Sequence, residues 1–187
     1  MLQLEPLKQP MPAGVRLPKI EVQRRVYYQL DLDPNSSNYS LLRALCLRGV
    51  KQRGIDKLKN KQDYYDRVKM EISVLQELGF IDYILLNWDI LNFCHENSIP
   101  TGPGRGSAAG SLVLYLLRVT NVDPIKYDLF FERFVSKSRA KKTIVDGVTY
   151  LDGSLLADVD NDISYDRRQQ VIKYIEDKHK GRTCKIL

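Results

Sequence analysis

The chain has 187 residues, of which 43% are hydrophobic and 28% charged, so it is long enough and apolar enough for one globular domain with its own core. It contains no apolar run of about 18 residues and no signal-peptide pattern, which argues against membrane insertion and secretion and predicts a cytoplasmic protein without a membrane partner. The net charge of +6 is compatible with nucleic-acid binding but does not establish it.

Residues 1–40 are predicted to form an extended leader or linker. Four prolines fall in residues 1–22 and little hydrophobic periodicity accompanies them. Residues 23–32 are compatible with either a short helix or a strand. A short helix is then predicted over residues 40–48, and Gly49 is the residue expected to end it.

Two longer helices are predicted from residue 63 onward. The first is indicated by apolar residues at helical spacing, and Gly79 suits the C′ position that ends it. Its stripe consists of Tyr65, Val68, Ile72, Leu75 and Leu78. Asp82 is expected to cap the second helix, which is apolar around most of its girth and is therefore expected to be buried. Trp88 in this helix is interpreted as a core residue in preference to a base-stacking one.

Residues 101–111 hold four of the eleven glycines. Glycine costs roughly 1 kcal/mol inside a helix relative to alanine, so this run is predicted to be a loop with an accessible backbone. Ser107 is expected to cap a helix over residues 108–118, which would bring free amides and the helix dipole to one spot suited to a phosphate. Arg105 would add further donors there. A plain helix-capping turn is the alternative; a Walker A lysine is missing, and no strand leads into the loop as a dinucleotide fingerprint requires.

Two Asp-Gly pairs, at residues 146–147 and 152–153, lie between strand-like residues and predict a three-stranded meander. Its last strand is expected over residues 155–160. Side chains alternate faces along a strand, so Asp158 and Asp160 (the acidic motif) would share one face. Two neighbouring carboxylates repel unless a cation lies between them, so the motif is predicted to bind Mg²⁺. An exposed acidic strand end is the alternative.

Several motifs occur in a fixed order between residues 64 and 187. They are Gly79-Phe80, Tyr83, Trp88-Asp89, Gly102-Pro-Gly-Arg-Gly-Ser-Ala-Ala-Gly-Ser-Leu112, Asp123-Pro124, Phe131-Glu-Arg-Phe134 and Asp158-Val-Asp160. Together they resemble the C family of bacterial replicative DNA polymerases, the DNA polymerase III alpha subunits. The resemblance implies a nucleotidyltransferase palm related to DNA polymerase beta. The expected fold class is therefore α+β, with helices packed on a small mixed or antiparallel sheet.

The resemblance also implies roles for individual residues. Gly106 and Ser107 match residues that bind the triphosphate of the incoming nucleotide, and Arg133 matches an arginine near that nucleotide. Asp158 and Asp160 match carboxylates that bind two Mg²⁺ ions, one activating the primer 3′-hydroxyl and the other holding the triphosphate. The implied substrates are a DNA primer-template and deoxynucleoside triphosphates.

The sequence departs from the family pattern in three respects. Ala157 and Ile163 replace the proline and phenylalanine that flank the acidic motif in the family. An insertion separates Phe134 from Asp158. The family's third catalytic carboxylate matches a position beyond Leu187, so the isolated chain is expected to be inactive and to need the remaining polymerase domains or a companion chain.

These observations divide the chain into a leader (1–40), a palm region (41–163) and the first helix of a thumb-like continuation (164–187). The alternative function is a non-catalytic remnant that binds DNA or a polymerase partner. Lys- and Arg-rich residues at 48–61 and 133–142 motivate that alternative, although a solvated face is the preferred interpretation of 48–61. A nucleotide hydrolase is disfavoured because the Walker lysine is missing.

Overall fold

The computed structural model describes residues 19–136, 142–145, 148–151, 157–181 and 183, the two short internal segments by their backbone only. Its helices are α1 (Arg24–Tyr28), α2 (Asn38–Gln52), α3 (Lys61–Glu77), α4 (Ile81–Glu96), α5 (Leu112–Leu116) and α6 (Arg168–Lys178). Within these residues, four 3-10 turns cover Ile55–Lys57, Gly106–Gly110, Phe131–Arg133 and Tyr165–Arg167, and two strands are β1 (Lys142–Val145) and β2 (Val148–Leu151). In this part of the chain no helix has the length and apolarity needed to cross a lipid bilayer.

Helices α3 and α4 confirm the two longer helices that the sequence predicts. Gly79 has a φ of 76°, and the Phe80 amide donates to the Leu75 carbonyl at 2.8 Å, so α3 ends at a glycine as expected. Most of the girth of α4 is buried, including Trp88, which is 3% exposed. The predicted cap of α4 at Asp82 is wrong, because the N-cap is Phe80 and Asp82 lies in the first turn, where its charge complements the helix dipole.

Helix α2 continues past Gly49, so the prediction that this glycine ends the helix is wrong. Gly49 lies where α2 meets α5, and a Cβ built on it would come within 2.3 Å of the Leu116 carbonyl oxygen. The missing side chain lets the two backbones approach closely, which explains a glycine inside a helix that runs on to Gln52.

Replacing Gly49 by alanine is expected to lower the free energy of unfolding by about 2–3 kcal/mol, because the added methyl group must push α5 away from α2. Urea unfolding followed by circular dichroism measures this change. Lys51→Ala, an exposed substitution on the same helix, is the matched control and is expected to stay within about 0.5 kcal/mol of the parent. Equal stability of the two variants would contradict the close approach.

Residues 19–40, the described part of the predicted leader, contribute to the core. Ile20, Val26 and Tyr27 are 4%, 6% and 6% exposed and pack with the buried residues of the longer helices. Within the segment 23–32, residues Arg24–Tyr28 form the short helix α1. Hydrophobic burial therefore attaches residues 19–40 to the rest of the molecule.

Helix α6 is attached to α4 by aromatic and charged contacts. The rings of Phe93 and Tyr174 stack with centroids 4.0 Å apart. The Tyr174 hydroxyl donates to one oxygen of Asp89 at 2.7 Å, and the Lys178 ammonium lies 2.6 Å from the other. Burial, followed by the hydrogen bond to Asp89, raises the pKa of the Tyr174 hydroxyl and keeps it a donor. These contacts fix the position of the segment that leads into α6.

The expected α+β fold, with helices packed on a sheet, is wrong. Within the described residues the core is helical: the apolar stripes of α2, α3, α4 and α5 pack directly on one another. The largest fully buried side chains include Leu42, Leu75, Leu85 and Leu114, one from each of these helices. The helices therefore bury their apolar faces without needing a sheet beneath them.

The strand predictions have a mixed outcome. Strands β1 and β2 pair antiparallel with Val145 opposite Val148, which confirms the hairpin predicted around residues 146–147. Those two turn residues, and the second Asp-Gly pair at 152–153, lie outside the described residues. The predicted third strand over residues 155–160 is not present in its described part, because residues 157–160 have no regular secondary structure.

Candidate functional site

The glycine-rich residues 101–111 form a loop whose backbone requires glycine at two positions. Gly104 and Gly106 have φ of 89° and 66°, in the left-handed region that other residues rarely adopt. A Cβ on Gly104 would also come within 2.7 Å of the Thr120 side chain. The predicted glycine-rich loop is therefore present, and it is tightly shaped.

The helix after this loop begins later than the sequence predicts. Helix α5 starts at Leu112, and its N-cap is Ser111, whose hydroxyl accepts from the Leu114 amide at 3.3 Å. The prediction of a helix over residues 108–118 capped by Ser107 is wrong. Ser107 lies instead in the 3-10 turn that precedes α5.

The start of α5 is occupied by a buried carboxylate from α3. Glu71 is 0% exposed, and one of its oxygens accepts from the Leu112 amide at 2.9 Å. The other accepts from the Val113 amide at 3.0 Å and the Ser111 hydroxyl at 2.9 Å. Burial raises the pKa of Glu71, while the two amides and the Arg67 guanidinium oppose that rise. The protein's own anion takes these donors, so the helix start is not the phosphate site that the sequence suggested.

Three of the predicted nucleotide-binding residues share an open cleft of about 340 Å³ beside the loop. The cleft is lined by two segments, its walls: Gly106, Ser107, Ala109 and Gly110 line it in one, and Leu129, Phe130 and Arg133 in the other. Backbone amides, a hydroxyl and a guanidinium are the donor types that bind phosphate oxygens. The cleft thus joins Gly106 and Ser107 to Arg133, although they are separated in the sequence.

Residues 157–163, which contain the acidic motif and Asp162 and are called the acidic segment, run alongside the glycine-rich loop. Thr101 and Ile163 form an isolated antiparallel bridge, and the Gly102 amide donates to the Asp162 carbonyl at 2.9 Å. A Cβ on Gly102 would lie 2.9 Å from the Asp162 Cβ, so the two backbones approach closely where glycine stands. Two segments with complementary chemistry are therefore neighbours in space.

Two carboxylates of this segment converge on Arg105. The Arg105 Nε lies 3.6 Å from Asp160 and 3.7 Å from Asp162, and all three side chains are exposed. A Cβ on Gly106 would come within 3.8 Å of the same Asp160 oxygen. Arg105, predicted to bind a nucleotide, thus faces the acidic segment and not the cleft. Asp158 is exposed and forms no ion pair within the described residues.

Helix α4 holds the acidic motif through two side chains that the sequence analysis did not assign to the site. The Tyr83 hydroxyl donates to the Ala157 carbonyl at 2.8 Å, and the Asn161 amide donates to Asn87 at 3.2 Å. Burial raises the pKa of Tyr83, and the carboxylates of the acidic motif add to the rise, so both lie within electrostatic range of this hydroxyl. The signal was the i, i+4 spacing of Tyr83 and Asn87, which puts two polar groups on one face of an otherwise apolar helix.

The carboxylates suit a hard cation, although they do not form a complete metal site. Among the residues that the structure describes, no three His, Cys, Asp or Glu side chains are grouped closely enough to hold a metal ion. The donors present are carboxylate oxygens, which Mg²⁺ prefers, and the convergence of Asp160 and Asp162 on Arg105 indicates that the segment attracts positive charge. The binding of Mg²⁺ by Asp158 and Asp160 therefore stays a prediction, because the carboxylates that converge on Arg105 are Asp160 and Asp162.

Arg53, in the basic stretch 48–61, has a structural role. Its Nη2 donates to the Tyr115 and Thr120 carbonyls at 2.9 and 3.0 Å and to the Asn121 side chain at 2.9 Å. The guanidinium carbon also lies 4.1 Å from the centroid of the Tyr115 ring. The interpretation of 48–61 as a solvated face is therefore wrong for Arg53, which fixes the C-terminal end of α5.

Comparison with known proteins bears out the resemblance. The family model of the bacterial DNA polymerase III alpha NTPase domain matches residues 40–186. The DNA polymerase III subunit alpha of Halalkalibacterium halodurans is 40% identical over 174 residues, which cover 92% of this chain and 13% of that protein. Those of Aquifex aeolicus and Bacillus subtilis are 36% and 39% identical over 80% and 72% of this chain, and 12% and 11% of their own lengths. This chain spans only a small part of the length of these relatives. It belongs to the bacterial DNA polymerase III alpha NTPase domain family.

Proposed function

We propose that the chain is the palm portion of a replicative DNA-directed DNA polymerase, which transfers a nucleotidyl group to a primer 3′-hydroxyl. Membership of the family supports a DNA polymerase region. The observation that carries the finer proposal is the contact between the glycine-rich loop and the acidic segment. Asp160 lies beside Gly106, and Gly106 also lines the cleft that contains Ser107 and Arg133.

Each residue of the site has a part in this proposal. Ser107 and the Gly106 amide donate to oxygens of the triphosphate, and Arg133 offsets part of its negative charge from the facing wall. Asp158 and Asp160 would hold the Mg²⁺ ions, which would activate the 3′-hydroxyl and neutralise the triphosphate. Tyr83 keeps the acidic motif in place through its hydrogen bond to the backbone.

We propose that Arg105 binds the nucleotide after its guanidinium group leaves the carboxylates of Asp160 and Asp162. Its contact with Asp160 is 3.6 Å long and exposed, so it contributes little to stability and is readily exchanged. Asp160 would hold a divalent cation, which carries twice the charge of the guanidinium, in preference to Arg105. Arg105 directly precedes Gly106 in the loop, so the released side chain starts at the edge of the cleft.

The proposal includes the substrates and the missing parts. The substrates are a DNA primer-template and deoxynucleoside triphosphates, the cofactors are two Mg²⁺ ions, and the remaining polymerase domains or a companion chain complete the site. The division into a leader (1–40), a palm region (41–163) and a thumb-like continuation (164–187) belongs to the same proposal. Two carboxylates offer too few ligands for two metal ions, which is why completion is required.

The isolated 187-residue chain is expected to extend a primer negligibly, because the acidic motif alone does not hold both Mg²⁺ ions. Incubation with a primed template, Mg²⁺ and radiolabelled deoxynucleoside triphosphates measures this. The same assay with an Asp160→Asn variant separates extension by the chain from extension by a contaminant. Robust extension that disappears in the variant would refute the inactivity of the isolated chain.

A non-catalytic remnant that binds DNA or a polymerase partner is the second candidate, and the exposed Lys51, Lys57 and Lys59 in the basic stretch 48–61 favour it. It predicts DNA binding that weakens steeply with salt and is unaffected by Asp158→Ala. Titration of dATP with and without Mg²⁺ distinguishes the two functions. Binding that requires Mg²⁺ supports the palm proposal, whereas salt-sensitive DNA binding without any nucleotide binding supports the remnant.

A further inference from the structure

Arg67 and Glu71, one helical turn apart on α3, form a largely buried ion pair against the glycine-rich loop. The Arg67 Nε lies 2.7 Å from a Glu71 oxygen, and the two side chains are 17% and 0% exposed. The Glu71 carboxylate also accepts hydrogen bonds from the first amides of α5 and from the Ser111 hydroxyl. The ion pair therefore lies on the side of the glycine-rich loop that faces the protein interior.

Arg67 also connects the two walls of the cleft. Its Nη2 donates to the Gly110 carbonyl at 3.0 Å and to the Leu129 carbonyl at 3.0 Å. Gly110 belongs to the wall that contains Ser107, and Leu129 belongs to the wall that contains Arg133. One guanidinium group therefore holds both walls at hydrogen-bonding distance from itself.

The two walls also touch directly at Gly110. A Cβ on Gly110 would come within 2.6 Å of the Phe130 carbonyl oxygen, so glycine permits the closest approach of the walls. The separation of the walls is therefore set from two sides, by the Arg67 hydrogen bonds and by the backbone contact. A small change in either alters the spacing between Ser107 and Arg133.

We propose that Arg67, oriented by Glu71, is a positioning residue that sets the width of the cleft for the triphosphate group of a nucleotide. This inference rests on the proposed function, because it takes the cleft as the nucleotide site. The guanidinium is suited to the task because it has several donors in a fixed plane and serves Glu71 and two carbonyls at once. A lysine keeps the charge beside Glu71 but does not reproduce that planar set of donors.

The test compares Arg67→Lys with Arg53→Lys in the full chain. Arg53 is the matched control, since it also joins backbone carbonyls through one guanidinium, but at the far end of α5. Titration of Mg²⁺-dATP is performed at a temperature where circular dichroism shows all proteins folded. Arg67→Lys is expected to weaken dATP binding by about tenfold or more through misplacement of its partners, and Arg53→Lys by less than about twofold.

A second variant changes the cleft at the backbone contact between its two walls. Gly110→Ala presses a methyl group against the Phe130 carbonyl and leaves the Arg67–Glu71 pair intact. It is expected to weaken dATP binding as Arg67→Lys does. This variant keeps the proposal testable if Arg67→Lys fails to fold.

Amide hydrogen exchange without nucleotide separates this inference from the proposed function. Arg67→Lys is expected to accelerate exchange across residues 110–114 at least about tenfold more than Arg53→Lys does, because the loop loses its anchor. If Arg67→Lys accelerates exchange but the parent chain binds no dATP, the positioning role of Arg67 in the loop is retained and the nucleotide function is overturned. Equal exchange and equal dATP affinity in Arg67→Lys and Arg53→Lys would overturn the positioning role of Arg67 while leaving the nucleotide function in place.

Discussion

Glu71→Ala is expected to lower the free energy of unfolding by about 3–5 kcal/mol, because it removes one partner of a buried ion pair. Glu71 is fully buried, and its loss leaves the Arg67 charge and the first amides of α5 without their acceptor. Burying unpaired donors costs more than the hydrogen bonds themselves contribute. Urea unfolding monitored by circular dichroism, with the midpoint and slope fitted together, measures the loss.

Gln76→Ala provides the control, since Gln76 is exposed on the same helix and is expected to change stability by less than about 0.5 kcal/mol. Glu71→Gln is expected to fall between the two, because an amide keeps one acceptor oxygen but turns a donor toward the α5 amides. If Glu71→Ala unfolds at the same urea concentration as Gln76→Ala, the carboxylate does not organise the start of α5.

The parts of the fold that the sequence predicts well depend on local signals. The apolar spacing of α3 and the positive φ of Gly79 both arise within a few consecutive residues. The burial of α4 follows from apolar side chains on most of its faces. These features need no information about distant segments.

The start of α5 was mispredicted because a distant residue decides it. Ser107 and Ser111 both precede helix-forming residues, so capping preference alone does not choose between them. Glu71, 40 positions before Ser111 in the sequence, selects the later start by binding the first amides of the helix. An Arg and a Glu at i, i+4 spacing ordinarily indicate an ion pair on the helix surface. The spacing of Arg67 and Glu71 therefore did not predict that this pair is buried.

The sheet was mispredicted for a related reason. An Asp-Gly pair specifies a hairpin locally, and β1 and β2 form one. Whether helices pack on such a hairpin depends on how much apolar surface the helices already bury on each other. Because α2 to α5 share one core, a larger sheet is not needed to cover them.

For the candidate site, the residues stay a prediction from the sequence, and the structure shows which of them lie together. The glycine-rich loop and the acidic motif are far apart in the chain, and a resemblance links them only by order. The backbone bond from Gly102 to Asp162 brings them together. The same geometry separates Arg105, which faces the carboxylates, from Ser107 and Arg133, which line the cleft.

Asp158→Asn combined with Asp160→Asn is expected to weaken Mg²⁺-dependent dATP binding to the chain by more than about 100-fold, because loss of metal ligands exceeds the roughly 10–100-fold effect of their outer partners. The two carboxylates are the only residues to which the proposal gives a metal role. Isothermal titration calorimetry with Mg²⁺, repeated in EDTA, measures the metal-dependent part separately. Binding in EDTA is expected to be equally weak in the parent and in the double variant, since Gly106, Ser107 and Arg133 are unchanged.

Asp162→Asn is the matched control for this experiment. Asp162 is exposed and shares Arg105 with Asp160, but it reaches the loop through its backbone carbonyl, which the substitution keeps. Its effect is therefore expected to stay within about fivefold, the range of an exposed ion pair. If Asp162→Asn were as damaging as the double variant, general negative charge and not metal binding at the acidic motif would explain the Mg²⁺ dependence. If neither variant changed dATP binding, the juxtaposition of loop and acidic segment would have no part in nucleotide binding, and the palm proposal would fail.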